Sequence, residues 1–154
     1  MKTLAEKTNE ILESDFDVHH IFKRIVSQES PFTENEEIIE LVFIKRKHLD
    51  DSDIKSPVQR PAKILVATTH GLVYAEEGFK EIKENYYGYK MKHIYYDKIS
   101  SLELDICLLH GEFKVETNSS QNPVIELSFN TTQYYEEFEK FIDVVRQKRI
   151  KYNS

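Results

Sequence analysis

Six histidines and a single cysteine are the side chains of this chain best suited to chemistry. A zinc site requires three or four His, Cys or carboxylate ligands at short spacing. His19 and His20 are adjacent, so on a helix their side chains diverge by about 100° and do not face one ion. The other histidines show no His-Glu-x-x-His or Cys-x-x-Cys spacing: His48, His70, His93 and His110. We therefore predict no metal site.

A nucleophile and its base are suggested only by Cys107 and His110. On a continuous strand, residues three apart point to opposite faces, and no third residue that would orient the base is visible. We interpret Cys107 as a small buried thiol beside a turn histidine, and we predict no catalytic residue. The enzymatic alternative requires a cleft that brings His93, His110 and Cys107 together.

Cofactor-binding loops are not apparent either. Asp50, Asp51 and Asp53 look like the start of a calcium loop, but the central glycine is missing, and position twelve is Pro61 or Ala62 instead of a bidentate glutamate. The chain has only four glycines and no Gly-x-Gly-x-x-Gly or Gly-x-x-x-x-Gly-Lys-Ser/Thr motif. We expect no cofactor.

A tyrosine-rich segment, residues 85–96, is the first candidate for binding. As a strand it places five side chains on one face: Tyr87, Tyr89, Met91, His93 and Tyr95. Such a face can be core, a protein interface or a stacking platform for single-stranded nucleic acid. The net charge of −6 and the pI near 5.5 disfavour nucleic acid. We identify Tyr87, Tyr89, Met91 and Tyr95 as candidate interface residues.

Residues 1–33 are predicted to be a helical N-terminal extension, ahead of a domain over residues 34–150. Val18, Ile21, Phe22 and Ile25 repeat at helical spacing. We expect this second helix to be capped by residues 14–15 and to end at residues 30–31, before the proline. Isolated helices of this length do not persist in water, so the apolar faces must dock on the main body or on another chain. Phe22 and Ile25 are therefore candidate interface residues too.

The remainder is predicted to be a series of short strands followed by one helix. The strands cover residues 37–47, 63–69, 72–76, 94–101, 102–106, 112–117 and 123–129, with a loop at 48–60. The helix begins near Thr131 after a capping arrangement, and Phe138, Phe141, Ile142 and Val145 line one of its faces. This order predicts an α+β domain in which the helix covers a sheet.

That order resembles the bacterial pleckstrin-homology-like (PH-like) domains. The matching motifs are the hairpin at residues 64–74, the Ile-Tyr-Tyr-Asp-Lys-Ile-Ser-Ser-Leu run at 94–102, the Gly-containing strand at 109–115 and the Phe-rich helix at 135–145. The resemblance covers roughly residues 37–148. It implies a PH-like bent antiparallel β-sheet, or partly open barrel, of about seven strands, capped by the C-terminal helix. The helices before Glu37 would lie outside the family core.

The resemblance also implies a second candidate site. Lys45, Lys47, Arg60 and Lys63 lie at the facing ends of the first two strands. In eukaryotic PH domains, basic residues at these strand ends clamp a phosphoinositide headgroup. These four residues are therefore candidates for anion or lipid binding and weak peripheral membrane contact, with a solvated strand end as the alternative.

The bulk properties fit a soluble cytoplasmic chain. With one cysteine no internal disulfide can form, which suits a reducing compartment. There is no signal-peptide-like apolar run and no stretch long enough to span a membrane. We expect a non-enzymatic module that mediates protein contact or self-association, with homo-oligomers among the outcomes. The alternative is a peripheral module for anionic lipids or phosphorylated headgroups.

Overall fold

The structure is a computed structural model and describes residues 2–14, 18–29, 32–48, 58–78, 88–118 and 122–151. The helices in these ranges are α1 (Leu4–Glu13), α2 (His20–Val26) and α3 (Thr131–Lys151), with a 3-10 turn at Tyr96–Lys98. The strands are β1 (Ile38–Ile44), β2 (Lys47–His48), β3 (Val58–Arg60), β4 (Lys63–Thr68), β5 (Gly71–Glu77), β6 (Tyr89–Tyr95), β7 (Ile99–Cys107), β8 (His110–Thr117) and β9 (Ile125–Asn130).

The strands form two main antiparallel sheets. The first has the order β1-β4-β5-β6 and the second β7-β8-β9, while β2 and β3 form a short separate hairpin. No strand pairing joins the two sheets within the described ranges, so the barrel is not closed. These seven strands with the terminal helices are an α+β PH-like arrangement, and the predicted fold class is confirmed.

The inner core lies between the two sheets and α3. Phe138, Phe141 and Val145 on α3 are fully buried, as their helical spacing predicts. The Phe138 ring stacks on Phe129 of β9 at a centroid distance of 4.2 Å and lies 5.4 Å from Phe113 of β8. The Asn130 side chain accepts a hydrogen bond from the Thr132 backbone N–H at 2.9 Å, which caps the helix as predicted.

Helices α1 and α2 cover the outer face of the first sheet. Phe22 and Ile25 of α2 are fully buried with Ile64 and Val66 of β4 in a second apolar cluster. The Phe22 ring lies 5.2 Å from that of Phe43 on β1. Because both faces of this sheet are covered, β4 is apolar along almost its whole length rather than alternating. Of the two possibilities for these helices, the structure shows docking on the main body.

A buried charge cluster joins α1, β1 and α3. The Lys7 ammonium donates to the Glu40 carboxylate at 2.9 Å, and Lys140 approaches the same carboxylate at 3.3 Å. Lys7 is 4% exposed and Glu40 2% exposed. Burial opposes ionisation of Glu40, but the hydrogen bond and charge of Lys7 outweigh it, so the pKa of Glu40 lies below its ordinary value. Glu40 is therefore an ionised residue of the core.

Gly111 of β8 is required by its neighbour across the strands. It pairs with Phe129 of β9, and a Cβ built at Gly111 would lie 2.4 Å from the Phe129 ring. The ring can cover the β8 backbone only because residue 111 has no side chain. This explains the glycine of the motif at residues 109–115.

The predicted limits of α2 are wrong. Ser14 caps the end of α1 instead, and Asp15 lies outside the described residues. The N-cap of α2 is His19, whose Nδ1 accepts a hydrogen bond from the Ile21 backbone N–H at 3.1 Å. The helix ends at Val26, and Gln28 then adopts a left-handed conformation with φ of 57°. The chain therefore leaves the helix before Pro31 is reached.

Two predicted strand boundaries are also wrong. The chain is strand up to Tyr95 and again from Ile99, because Tyr96 turns into the core and its hydroxyl donates to the Thr68 carbonyl at 2.5 Å. The predicted loop at 48–60 contains strand residues at both ends, in β2 and β3. Residues 49–57, which include the acidic run, lie outside the described ranges.

Candidate binding cleft

A cleft of about 830 Å³ opens between the edge of the first sheet and the start of α3. One side is formed by the end of β1, the segment that follows it and the β2–β3 hairpin. The other side is formed by the β7–β8 turn, the end of β9 and the first turn of α3. Its polar side chains include three cations that we call the cleft cations, Lys45, Lys47 and Arg60.

Local strand geometry positions the cleft cations. Lys47 of β2 and Arg60 of β3 are direct cross-strand partners in the short hairpin. Lys45 leaves the end of β1, and its backbone N–H donates to the Tyr134 hydroxyl at 3.3 Å. In the ranges that the structure covers, no carboxylate lies within ion-pair distance of these three cations. Because like charges directly opposite one another are destabilising, this pairing of Lys47 with Arg60 favours an anion in the cleft.

Arg46 also borders the cleft but has a structural role. Its guanidinium donates two hydrogen bonds to the Glu77 carboxylate, at 2.8 and 2.9 Å. The Glu77 side chain is fully buried and also accepts the Ala62 backbone N–H at 2.7 Å. A bidentate pair of this kind fixes the strand ends in place. Arg46 therefore stabilises the frame that carries Lys45 and Lys47.

The opposite side of the cleft combines polar side chains with Leu109 and Phe129, and none of its described residues is a carboxylate. Burial raises the pKa of Tyr134 above its ordinary value, so its hydroxyl stays protonated. That hydroxyl accepts from the Lys45 N–H and keeps its own proton for donation. Asn130, Gln133 and His110 complete this side. The carboxylate that borders the cleft, Glu10, is already paired with Lys2 at 2.7 Å.

Lys63, the fourth predicted basic residue, does not line this cleft. It begins β4 and lies opposite Ile44 of β1 on one side and Glu76 of β5 on the other. A cross-strand carboxylate therefore faces it, unlike the cleft cations. The structure brings together three of the four predicted basic side chains, and their role in binding stays a prediction.

The tyrosine face lies on β6, the edge of the first sheet. Tyr95 is 60% exposed and Tyr89 46% exposed, whereas Met91 packs partly against the outer apolar cluster. Tyr87 lies outside the described residues. Phe22 and Ile25 are fully buried. Among the predicted interface residues that the structure describes, Tyr89 and Tyr95 are exposed.

Comparison with known proteins identifies the family. The family model described as "Bacterial PH domain" matches residues 12–147. The chain belongs to the bacterial PH domain family. No curated protein and no solved structure shows a significant match. The family match begins 25 residues before Glu37 and so includes α2, while the division into an N-terminal extension and a PH-like domain stays a prediction.

Membership of the bacterial PH domain family suggests a binding role, because PH-like domains are generally non-catalytic binding modules. The cleft contains His110 but neither His93 nor Cys107, so the three residues of the enzymatic alternative do not line one cleft. Cys107 is exposed rather than buried, and it pairs with His110 across the β7–β8 hairpin. Our placement of the two residues on one strand was wrong because residues 108–109 form a turn.

In the part of this bacterial PH domain that the structure describes, no group of three or more His, Cys, Asp or Glu side chains is arranged to hold a metal ion. None of the described helices is long and apolar enough to cross a membrane.

Sequence reasoning missed half of the cleft of this bacterial PH domain. Tyr134, Gln133 and His110 join the cleft only because the start of α3 and the β7–β8 turn approach the end of β1. That approach joins residues about ninety positions apart, as in the Lys45–Tyr134 hydrogen bond. One sequence signal could have indicated this side of the cleft. Residues 130–133 are polar and directly precede the apolar face of α3, which is typical of a helix start with one side exposed.

Proposed function

We propose that this bacterial PH domain binds an anionic group, such as a phosphorylated headgroup, in the cleft between β1, the β2–β3 hairpin and α3. The observation that supports this most directly is the Lys47–Arg60 cross-strand pair with Lys45 beside it. No carboxylate in the described ranges pairs with these cations, and an external anion would supply strong charge-assisted hydrogen bonds to them.

The chain's acidic balance does not oppose this proposal locally. The net charge of −6 belongs to the whole chain, whereas ligand attraction within a cleft depends on charges within about one Debye length, near 8 Å at physiological salt. Glu10 is the one carboxylate among the described residues that line the cleft, and it is paired with Lys2; Glu77 beside the cleft is paired with Arg46. Among the described residues, the unpaired charges in the cleft are therefore those of the cleft cations.

Co-sedimentation with vesicles tests the anion proposal. We expect binding to vesicles that contain phosphatidylserine or a phosphoinositide at low salt, weaker binding at high salt, and little binding to phosphatidylcholine alone. The double variant Lys47→Gln/Arg60→Gln should bind about 30-fold more weakly, since each cation near an anionic surface is worth about 1 kcal/mol. A soluble phosphorylated headgroup as competitor separates headgroup recognition from attraction to the surface.

The matched control is Arg146→Gln/Lys151→Gln, which removes the same charge. Both residues are exposed in the last two turns of α3, and Arg146 lies about 22 Å along the helix from Thr131 at 1.5 Å per residue. The control should bind like the unmodified chain. Equal weakening of the two double variants, or no binding to anionic vesicles at low salt, would contradict the proposal.

A second candidate is contact with a protein partner or another copy through β6. It is favoured by the exposure of Tyr89 and Tyr95 on a sheet edge, because tyrosine is enriched at interfaces and edge strands add partners readily. A depression of about 360 Å³ lies beside Tyr95 and is lined by Thr69, His70 and Asp97, so this surface is concave next to the exposed ring.

Light scattering over a range of concentrations tests the self-association form of this candidate. The unmodified chain should increase in mass with concentration, and Tyr95→Ser should remove that increase. Tyr135→Ser is the control, because Tyr135 is similarly exposed, at 41%, on α3. A mass that stays monomeric throughout would exclude self-association.

A cytoplasmic location, expected from the single cysteine, remains part of the proposal.

A further inference from the structure

The turn between β7 and β8 presents an apolar surface to solvent. We call Ile106, Leu108 and Leu109 the hairpin tip; they are 48%, 90% and 68% exposed. Most of the large apolar side chains in the described ranges are buried in the two core clusters. Three exposed aliphatic side chains within four residues around one tight turn are therefore a feature that folding of this chain does not explain.

The backbone of the hairpin tip adds a second observation. Cys107 pairs with His110, so residues 108 and 109 alone connect the strands. Leu108 has a φ of 44°, in the left-handed region where Gly, Asn or Asp is strongly favoured in such turns. A leucine here is the less stable choice both for the backbone and for its exposed side chain. Violations of local rules of this kind are concentrated at functional positions.

The hairpin tip is also held in place. The Leu109 carbonyl accepts a hydrogen bond from the Thr131 backbone N–H at 3.2 Å, at the start of α3. Directly behind it, Gly111 lies under the Phe129 ring. The exposed leucines are therefore presented from a fixed position at the rim of the cleft.

The surroundings of the hairpin tip indicate what it contacts. Leu109 and His110 border the same cleft as the cleft cations. Apolar side chains next to lysine and arginine are the arrangement with which interfacial segments bind anionic bilayers. Protein interaction hot spots, by contrast, are enriched in Trp, Tyr and Arg, and leucine is under-represented in them. The observations favour a lipid surface over a protein partner.

We propose that the hairpin tip inserts into the interface of an anionic lipid bilayer while the cleft cations contact its headgroups. This inference rests on the proposed anion-binding function. It identifies the anion bound in the cleft as the headgroup of a membrane lipid. Insertion places the apolar side chains Leu108 and Leu109 at the boundary between headgroups and acyl chains, where burying them is favourable.

Acidic residues behind the hairpin tip limit the depth of insertion. Asp105 and Glu112 are cross-strand partners, two pairs further from the turn than Cys107 and His110. At about 3.3 Å per residue, Asp105 lies roughly 10 Å behind Leu108. Deeper insertion would bring these carboxylates into hydrocarbon, which is strongly unfavourable. We therefore expect a shallow contact, with Glu112 kept near the headgroups beside its ion-pair partner Lys114, 3.4 Å away.

The single cysteine supplies a probe at this position. Cys107 is exposed and adjoins Leu108, so an environment-sensitive fluorophore such as NBD attached to its thiol reports on the surroundings of the hairpin tip. On vesicles of phosphatidylcholine with phosphatidylserine we expect a blue shift and quenching by lipids brominated near the headgroup end of the acyl chain. Lipids brominated near the chain terminus should quench less. An unshifted probe on vesicles that bind the protein would overturn the proposal.

Substitution at the turn tests the side chains themselves in the unlabelled chain. Leu108→Asn introduces a residue that the left-handed conformation favours, so folding should be preserved while the apolar contact is lost. Leu108→Asn/Leu109→Asn should weaken binding to anionic vesicles by at least roughly tenfold, the effect of removing two partly buried leucines. The control is Ile150→Asn, at an isoleucine 66% exposed near the other end of α3. Binding equal to that of the unmodified chain would overturn the proposal.

Failure of insertion can be distinguished from failure of the cleft function. An unshifted probe, combined with weaker anionic binding of Lys47→Gln/Arg60→Gln, would overturn insertion and leave the cleft function standing. A shifted probe with no effect of the cleft substitutions would support insertion and remove the cleft function. Binding of a soluble phosphorylated headgroup, with no blue shift of the probe on vesicles carrying the same headgroup, would also overturn insertion.

Discussion

The buried charge cluster around Glu40 and the cleft cations of this bacterial PH domain differ in whether each cation has a carboxylate partner. In the cluster around Glu40, the buried ammonium of Lys7 has carboxylates within 2.9 and 3.4 Å. In the cleft, Lys47 faces Arg60 across the hairpin, and no carboxylate of the described ranges lies within ion-pair distance of either. The first group is charge-matched within the protein, whereas the second has no matching carboxylate among the described residues.

The difference separates charges that maintain the fold from charges available to a ligand. A buried ammonium requires its partner, because an uncompensated charge in the core costs several kcal/mol. A solvent-accessible cation tolerates a missing partner, because water and salt screen it. The same distinction applies to neighbours in sequence: Arg46 is paired with Glu77, whereas Lys45 and Lys47 on either side of it have no carboxylate partner in the ranges that the structure covers. Substitutions of matched and unmatched charges therefore test this distinction.

Glu40→Ala should destabilise the chain by about 3–5 kcal/mol, because it leaves the buried Lys7 ammonium without its main partner. Urea unfolding at neutral pH measures the loss. Glu10→Ala is the control, since Glu10 forms an exposed pair with Lys2 and should change the free energy of unfolding by less than about 1 kcal/mol. Similar losses for the two variants would remove the distinction between matched core and surface charges.

Arg46→Ala should cost about 1.5–3 kcal/mol, because the fully buried Glu77 carboxylate loses two charged hydrogen bonds. Thermal or urea unfolding measures this loss in the free energy of unfolding. Arg46→Lys should recover only part of the loss, since an ammonium does not reproduce the bidentate contact. An Arg46→Ala variant as stable as the unmodified chain would show that the pair does not support the strand ends.

The stability should depend on pH through Glu40. Its pKa is lower in the folded chain than its ordinary value of 4.5, so the unfolded chain takes up its proton first as the pH falls. The stabilisation is therefore present above about pH 4.5 and is lost as the pH falls through the folded-state pKa. The difference in unfolding free energy between the unmodified chain and Glu40→Gln should narrow on acidification. A gap that stays constant down to acid unfolding would contradict this assignment.

Lys47→Gln should have the smallest effect on folding, with the opposite sign. Relieving the repulsion between Lys47 and Arg60 should raise the free energy of unfolding by roughly 0.2–1 kcal/mol, while binding to anionic vesicles weakens. Lys98→Gln, at an exposed side chain on the 3-10 turn, is the control for general charge effects. Loss of stability in Lys47→Gln would show that the residue is structural, like Arg46.

The parts of the fold that depend on local sequence could be predicted. The apolar spacing of Phe138, Phe141 and Val145 gave the covering face of α3, and Asn130 gave its start. The break at Tyr96 could not be predicted, because it depends on a hydrogen bond to Thr68 in another strand. The end of α2 could not be predicted either, because Gln28 adopts a left-handed conformation that glutamine does not favour.

The candidate site was predictable on one side only. Lys45, Lys47 and Arg60 were found because the family resemblance directs attention to the ends of the first two strands, and the structure places all three in the cleft. The side formed by Tyr134 and Gln133 depends on how α3 meets β1, a long-range arrangement. The hairpin tip was hidden because residues 107–110 were not recognised as a turn: Leu108-Leu109 has none of the usual turn chemistry.

The contact between Gly111 and Phe129 has a consequence for sequence variation among relatives that share this hairpin. A side chain at position 111 and an aromatic ring at position 129 exclude each other, because a Cβ would lie 2.4 Å from the ring. The two positions should therefore co-vary: a larger residue at 111 is compatible only with a smaller one at 129. Such a pair of exchanges would leave a gap beside Phe138, which a larger neighbour would have to fill.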